Sequence, residues 1–303
     1  MQRKKLLNWL FPAIRPPAPA DSSSLLGEAD IFAQLEAKEG SALFLGKFSI
    51  QQIQAALQRS SIIDALRARG IADCLICIEP IDEFNQALRI YNTVQQPERL
   101  IAEMRLREVV FIPQKLYPDC EMSSEFPMLS IDWLMMQNPD ADFTPEHPPL
   151  PGQQHPGLGL GRKVLRLLVT YCRWQELAGI INYPEYFHNA YIYRETFSFF
   201  MPERSGLLLA LIRDLGKLSL AEMSWAIELG CVTHRETASV FEWTSDVQIM
   251  PLRTSVQTWF DSEIYRQREL HAMQANHFEL DERTFREKAD SALRAGKFPQ
   301  ALN

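Results

Sequence analysis

The chain has 303 residues, enough for one large domain or two of ordinary size with a substantial buried core. Its 46% hydrophobic and 23% charged residues are the balance of a folded globular protein, which excludes a mainly disordered one. A formal charge of −7 without a long Lys or Arg block argues against a nucleic-acid binder, and five scattered cysteines argue against a disulfide scaffold and for a reducing cytoplasm.

The first residues, MQRKKLLNWLF, join a basic start to a short apolar run that Asn8 interrupts and Pro12 ends. Residues 1–24 read as a flexible tail whose Leu6, Trp9, Leu10 and Phe11 offer a membrane or partner contact at most. No stretch reaches the ~20 apolar residues of a membrane span. The Pro-, Ser- and Ala-rich part of this tail is a linker, so the ordered domain is expected from Leu25. Ile53, Leu57, Ile62 and Leu66 then predict two short helices, broken near Ser60 and ended by Gly70.

Strands are predicted over 74–79, 88–92, 100–112 and 129–136, where β-branched and aromatic residues recur. Cys74 and Cys77 form a CxxC on the first of them. A redox pair needs its first thiolate at a helix start, so these read as structural thiols, and no second CxxC completes a zinc site. The segment 138–151 has five prolines and reads as a long loop, either a lid over a substrate or an inert insertion.

Val164, Leu165, Leu168, Val169 and Cys172 predict a helix over 161–174 with one face on a sheet. A strand over 179–182, a helix over 185–196 and a strand over 197–201 follow. Helices are expected again over 207–215, 220–229, 256–273 and 282–295, with a hairpin or extended arm over 240–252. The order predicts an α/β fold, a mixed sheet flanked by helices over 25–203, with a mainly helical C-terminal extension over 204–303.

The chemistry concentrates in LPGQQHPGLGLGRKVLRLL. Gly157, Gly159 and Gly161 stand where a loop enters a helix, so backbone N–H groups there, those of Leu158 and Leu160 included, can approach an anion closely. Unpaired donors and the helix dipole suit a diphosphate, and Arg162 and Lys163 add positive charge. The spacing is neither the GxGxxG of a dinucleotide site nor a GxxxxGK[ST] loop. A plain glycine turn before a helix is the bland alternative.

The run from Gly159 to Leu165, the helix after it, AGIINYP and then EYFHNAYIYRETFSFF resemble the GNAT superfamily of acyl-CoA N-acyltransferases in motif and order. The resemblance implies a loop of the form Arg/Gln-x-x-Gly-x-Gly/Ala that binds the CoA pyrophosphate, and a strand parted from its neighbour to admit pantetheine. With Gly159 and Gly161 as the motif glycines the Arg/Gln position falls on Pro156; with Gly157 and Gly159 it falls on Gln154. The implied co-substrate is acetyl-CoA or another acyl-CoA, and the implied partner an amine on a small molecule or a protein. The alternative is a catalytically inactive module of the same fold that binds CoA or a protein.

By the same resemblance Asn189 would touch pantetheine and Tyr193, with Tyr191 as alternate, would be the acid that protonates the leaving thiolate. Both tyrosines are otherwise packing aromatics. His188 is a candidate proton carrier, and Asp132 and Glu103 are candidate bases whose bland reading is a solvated strand face. His147 and His155 lack the spacing of metal ligands, and no metal is expected.

Overall fold

The computed structural model describes residues 43–82, 85–118, 120, 122 and 124–294. The expected tail and the first residues of the expected domain lie outside the described residues. Helices α1 (Ile50–Arg59) and α2 (Ile62–Arg67) lead. A capping box starts α1: the Gln52 N–H donates to Ser49 Oγ at 3.3 Å, and the Ser49 N–H donates to Gln52 Oε1 at 2.9 Å. Ile53 and Leu57 then face inward, and the chain breaks at Ser60 and Ser61 as predicted.

Strands β1 (Cys74–Pro80), β2 (Gln86–Asn92), β3 (Leu100–Phe111) and β4 (Phe126–Met136) form an antiparallel meander, with the short helix α3 (Pro113–Leu116) between the last two. The long loop and α4 (Gly161–Trp174) carry the chain across to β5 (Gly179–Asn182), which runs parallel to β4. Next come α5 (Phe187–Tyr193), β6 (Ser198–Phe199), α6 (Pro202–Leu215), α7 (Leu220–Glu228), β7 (Val232–His234) and β8 (Gln248–Pro251). Helices α8 (Thr254–Asp261) and α9 (Glu263–Ala275), strand β9 (Phe278–Leu280) and helix α10 (Glu282–Arg294) complete the described fold.

The protein is thus α/β, with a seven-stranded mixed sheet in the order β1-β2-β3-β4-β5-β8-β6 and helices on its faces. β7 and β9 pair separately. Among the described residues no helix is long and apolar enough to cross a membrane.

The sheet runs past the boundary expected at residue 203, because β8 inserts between β5 and β6. Burial explains why. Ile180, Ile181, Ile249 and Met250 are all almost fully enclosed, so β5 cannot be a solvated edge and needs a partner on each side. The arm expected over 240–252 supplies that partner, and only its last residues are strand.

Alternation along the strands divides the core. Leu129 and Ile180 pack with Ile53, Leu66, Val164 and Leu168 under α1, α2 and α4. Their neighbours Met128 and Ile181 point the other way, onto Trp259, Phe260 and Tyr265 of α8 and α9. A third cluster, with Phe187, Leu211, Met223 and Phe278, joins α5, α6 and α7 to the small sheet.

Candidate functional site

Only the first half of β4 meets β5. The pairs are Leu129 with Ile180, Ser130 with Ile181 and Ile131 with Asn182, after which the chain leaves at Tyr183 and Pro184. At its far end β4 is met again, where the Leu158 N–H donates to the Met136 carbonyl at 3.3 Å and Gln137 bridges to Gly157. Between these attachments the edge of residues 132–135 that faces away from β3 has no strand partner among the described residues. Against β3, Arg105 pairs with Trp133 and Leu106 with Ile131, so Asp132 is an extra residue, a bulge beside the gap.

A cavity of about 670 Å³ opens along this unpaired edge. The loop of Gly157 to Gly161 walls one end, and Asn182, Tyr183, Tyr186, His188, Asn189 and Tyr193 wall another side. Gly159 has φ +64°, a left-handed conformation that glycine adopts without a Cβ penalty. The next residue, Leu160, is the N-cap of α4 and has no side chain able to cap it. Among the described residues the N–H groups of Gly159, Leu160, Gly161 and Arg162 find no acceptor, whereas α1 and α7 close their starts with Ser capping boxes. Four open donors at the start of a fourteen-residue helix make this end of the cavity suited to an anion.

Tyr193 reaches the same place from α5. Its ring packs edge-on to Phe197 at 6.2 Å, and its hydroxyl has no hydrogen-bond partner among the described residues. Burial raises its pKa, so it is a phenol, a donor, at neutral pH. Gln154 and Asn189 also line the cavity.

The remaining sequence candidates are placed differently. Tyr191 lies outside the cavity lining, its ring centroid 4.0 Å from the Arg194 guanidinium and packed on Phe187. Arg162 and Lys163 do not line the cavity either; the Lys163 ammonium donates to the Ser61 carbonyl at 2.9 Å, tying α4 to α2. Glu103 is buried on β3, accepting from Arg89 Nε at 2.9 Å and Arg105 Nε at 2.7 Å, away from the cavity.

Asp132 does line the cavity, but its carboxylate is clamped. It accepts from Ser130 Oγ at 2.7 Å and from the Arg107 guanidinium on both oxygens, with Nη2 at 3.1 Å. His188 is 4% exposed and stacks on Tyr186 with centroids 5.4 Å apart. Neither of its ring nitrogens has a partner among the described residues, and burial drives its pKa down to about 4, so the imidazole is neutral.

Trp133, Asn182, Tyr183 and Tyr186 line the cavity without having been singled out from the sequence. The available signal was the Asn-Tyr-Pro that ends a buried apolar strand, a place where proline forces the chain off the sheet. The long loop stands beside the cavity through Pro151 and Gly152. Its base is closed by the Asn138 N–H on the Pro156 carbonyl at 2.8 Å, and Trp225 Nε1 holds the Pro149 carbonyl at 2.9 Å. Among the described residues no group of three or more His, Cys, Asp and Glu is placed to hold a metal.

Comparison with protein-family models, with curated proteins and with solved structures found no match to this chain.

Proposed function

We propose that the chain is a CoA-dependent N-acyltransferase of the GNAT type, moving an acyl group, acetyl in the first instance, from CoA to an amine. One juxtaposition carries the reading: the unpaired edge of residues 132–135 and the uncapped, glycine-introduced start of α4 border one cavity. Pantetheine is a short chain of amides, and an open strand edge offers it the donors and acceptors that β5 leaves unused. The free amides at Gly159 to Arg162 suit the diphosphate.

In the reaction a neutral amine nitrogen attacks the thioester carbonyl, the C–N bond forms and the C–S bond breaks. The nitrogen loses one proton and the sulfur gains one. Tyr183, Tyr186 and Tyr193 all bring protonated hydroxyls without a partner among the described residues to this cavity; Tyr193, whose hydroxyl lies against Gly161 at the start of α4, is the group assigned to protonate the sulfur and recover its proton from solvent. The amine's proton passes to water, since His188 is too weak a base and Asp132 is held by Arg107.

The engagement of Asp132 and Glu103 by arginines favours a second reading, a module that binds CoA without turnover. Titration of the full chain with acetyl-CoA tests the first requirement of both. At a hundredfold excess over Kd, binding stabilises the fold by about 2.7 kcal/mol, and no shift with any of several acyl-CoAs overturns both readings. Binding without turnover on a broad amine panel leaves the second. Turnover lost in Tyr193→Phe with binding retained establishes the first.

A further inference from the structure

A second cavity, of about 350 Å³, adjoins the first and shares Pro151, Tyr186 and His188 with it. Three carboxylates line it: Glu185 ahead of α5, Glu228 at the end of α7 and Glu242 ahead of β8. None of the three has a cationic or hydrogen-bonding partner among the described residues, and no Lys or Arg joins the lining. Lys288 of α10 donates to the Leu229 carbonyl at 2.6 Å at the rim of this cavity, and among the described residues it pairs with none of the three carboxylates.

Tyr186, Phe187 and Trp243 line it beside aliphatic residues such as Ile227 and Val240. Trp243 is fixed by its Nε1 on the Pro184 carbonyl at 3.1 Å and by edge contact with Phe187, while the Tyr186 hydroxyl has its pKa raised by burial and by the charges of Glu185 and Glu228. Aromatic faces and uncompensated carboxylates together attract an organic cation. His188 gives an independent indication. It is only 4% exposed, it stands in the wall common to both cavities, its Nδ1 is buried without a partner, and its Nε2 has none among the described residues. A neutral imidazole there accepts an N–H that the chain itself does not provide.

A site that favours an ammonium cannot hold the attacking nitrogen, which needs a free lone pair. We infer that the second cavity holds the distal ammonium of an acceptor bearing two amines, a diamine or polyamine, whose other nitrogen reaches the unpaired edge of β4 next door. The acceptor role rests on the acyl-transfer reading; the cation site does not.

Calorimetric titration of the full chain with diaminobutane, without acyl-CoA, tests it against butanediol, the neutral analogue of equal length. The diamine is expected to saturate and the diol not. The Glu228→Gln/Glu242→Gln variant, changed at exposed positions, is expected to bind the diamine roughly tenfold more weakly or worse, with its circular dichroism unchanged. Should that variant lose its fold, Glu185→Gln with Glu228→Gln supplies the same comparison. A diamine that fails to saturate, or binds the folded variant as tightly as the parent, overturns the proposal. Acetyl-CoA binding alongside diamine failure removes this site and spares the transfer reading. Diamine binding without acyl-CoA binding keeps the cation site and removes its acceptor role.

Discussion

The hydroxyl of Tyr193 occupies the space in which a side chain on Gly161 would begin, 2.7 Å from where its Cβ would stand. The ring carbon behind that hydroxyl is 3.7 Å away, an ordinary contact, so the conflict is with the oxygen alone. Gly161→Ala is therefore expected to push Tyr193 aside at a cost of about 1–3 kcal/mol. Tyr193→Phe alone should change stability by under about 0.5 kcal/mol, because among the described residues the hydroxyl has no partner to lose. The double variant should recover most of the alanine penalty. Urea unfolding of all four proteins measures that coupling, and strict additivity would refute the contact.

Gly159 poses a different constraint. Its φ of +64° is costly for any residue with a Cβ, although the space around it is open, with Arg69 Nη2 at 3.7 Å the one atom near. Gly159→Ala is expected to cost about 1–2 kcal/mol and, by turning the Gly159 and Leu160 amides, to weaken the proposed binding of CoA more than that of pantetheine, which has no diphosphate. Competition titrations with the two ligands measure the difference.

His188 predicts a pH window. Its folded pKa is lowered by burial from 6.5 to about 4, so the unfolded chain takes up the proton first as pH falls. The stability this neutral imidazole provides is complete above pH 6.5 and declines as pH drops from there toward 4, by up to about 3 kcal/mol. Glu108, where burial pushes the carboxyl up but hydrogen bonds from Lys47 and Tyr171 outweigh it, and Asp214, held down by Arg213, both lie below their ordinary range and lose their contributions at more acid pH. Denaturant unfolding across the window should therefore show a decline that His188→Gln abolishes.

Glu103 and Asp132 should separate in kinetics. Glu103→Gln leaves Arg89 and Arg105 partly uncompensated and is expected to cost about 1–3 kcal/mol of stability while KM stays within about twofold. Asp132→Asn weakens the Arg107 clamp at the cavity wall, and in the proposed transfer reaction its effect should fall on KM for the amine. Steady-state assays beside thermal melts distinguish the two; equal kinetic damage from both would contradict the placement of Glu103 outside the cavity.

Much of the local structure was legible residue by residue. Ile53 and Leu57 marked α1, and Val164 to Cys172 marked α4, because side chains on one helix face share one environment and repeat with its period. The strand at 179–182 was legible for the same kind of reason, an apolar run too short for a helix. The glycine loop at 157–161 was legible because glycine alone tolerates what Gly159 does.

What the chain order could not convey was which distant segments would meet. Nothing near residue 248 says that β8 will lie between β5 and β6, and nothing near Asp132 or Glu103 names Arg107 or Arg89 as its partner. Glu185, Glu228 and Glu242 look like three solvated surface residues until the fold gathers them around Tyr186 and Trp243. Periodicity and turn chemistry act over a few residues and are written in the sequence by themselves. Strand neighbours, charge pairing and cavities arise when burial of one face brings together residues far apart along the chain, so only the tertiary structure decides them.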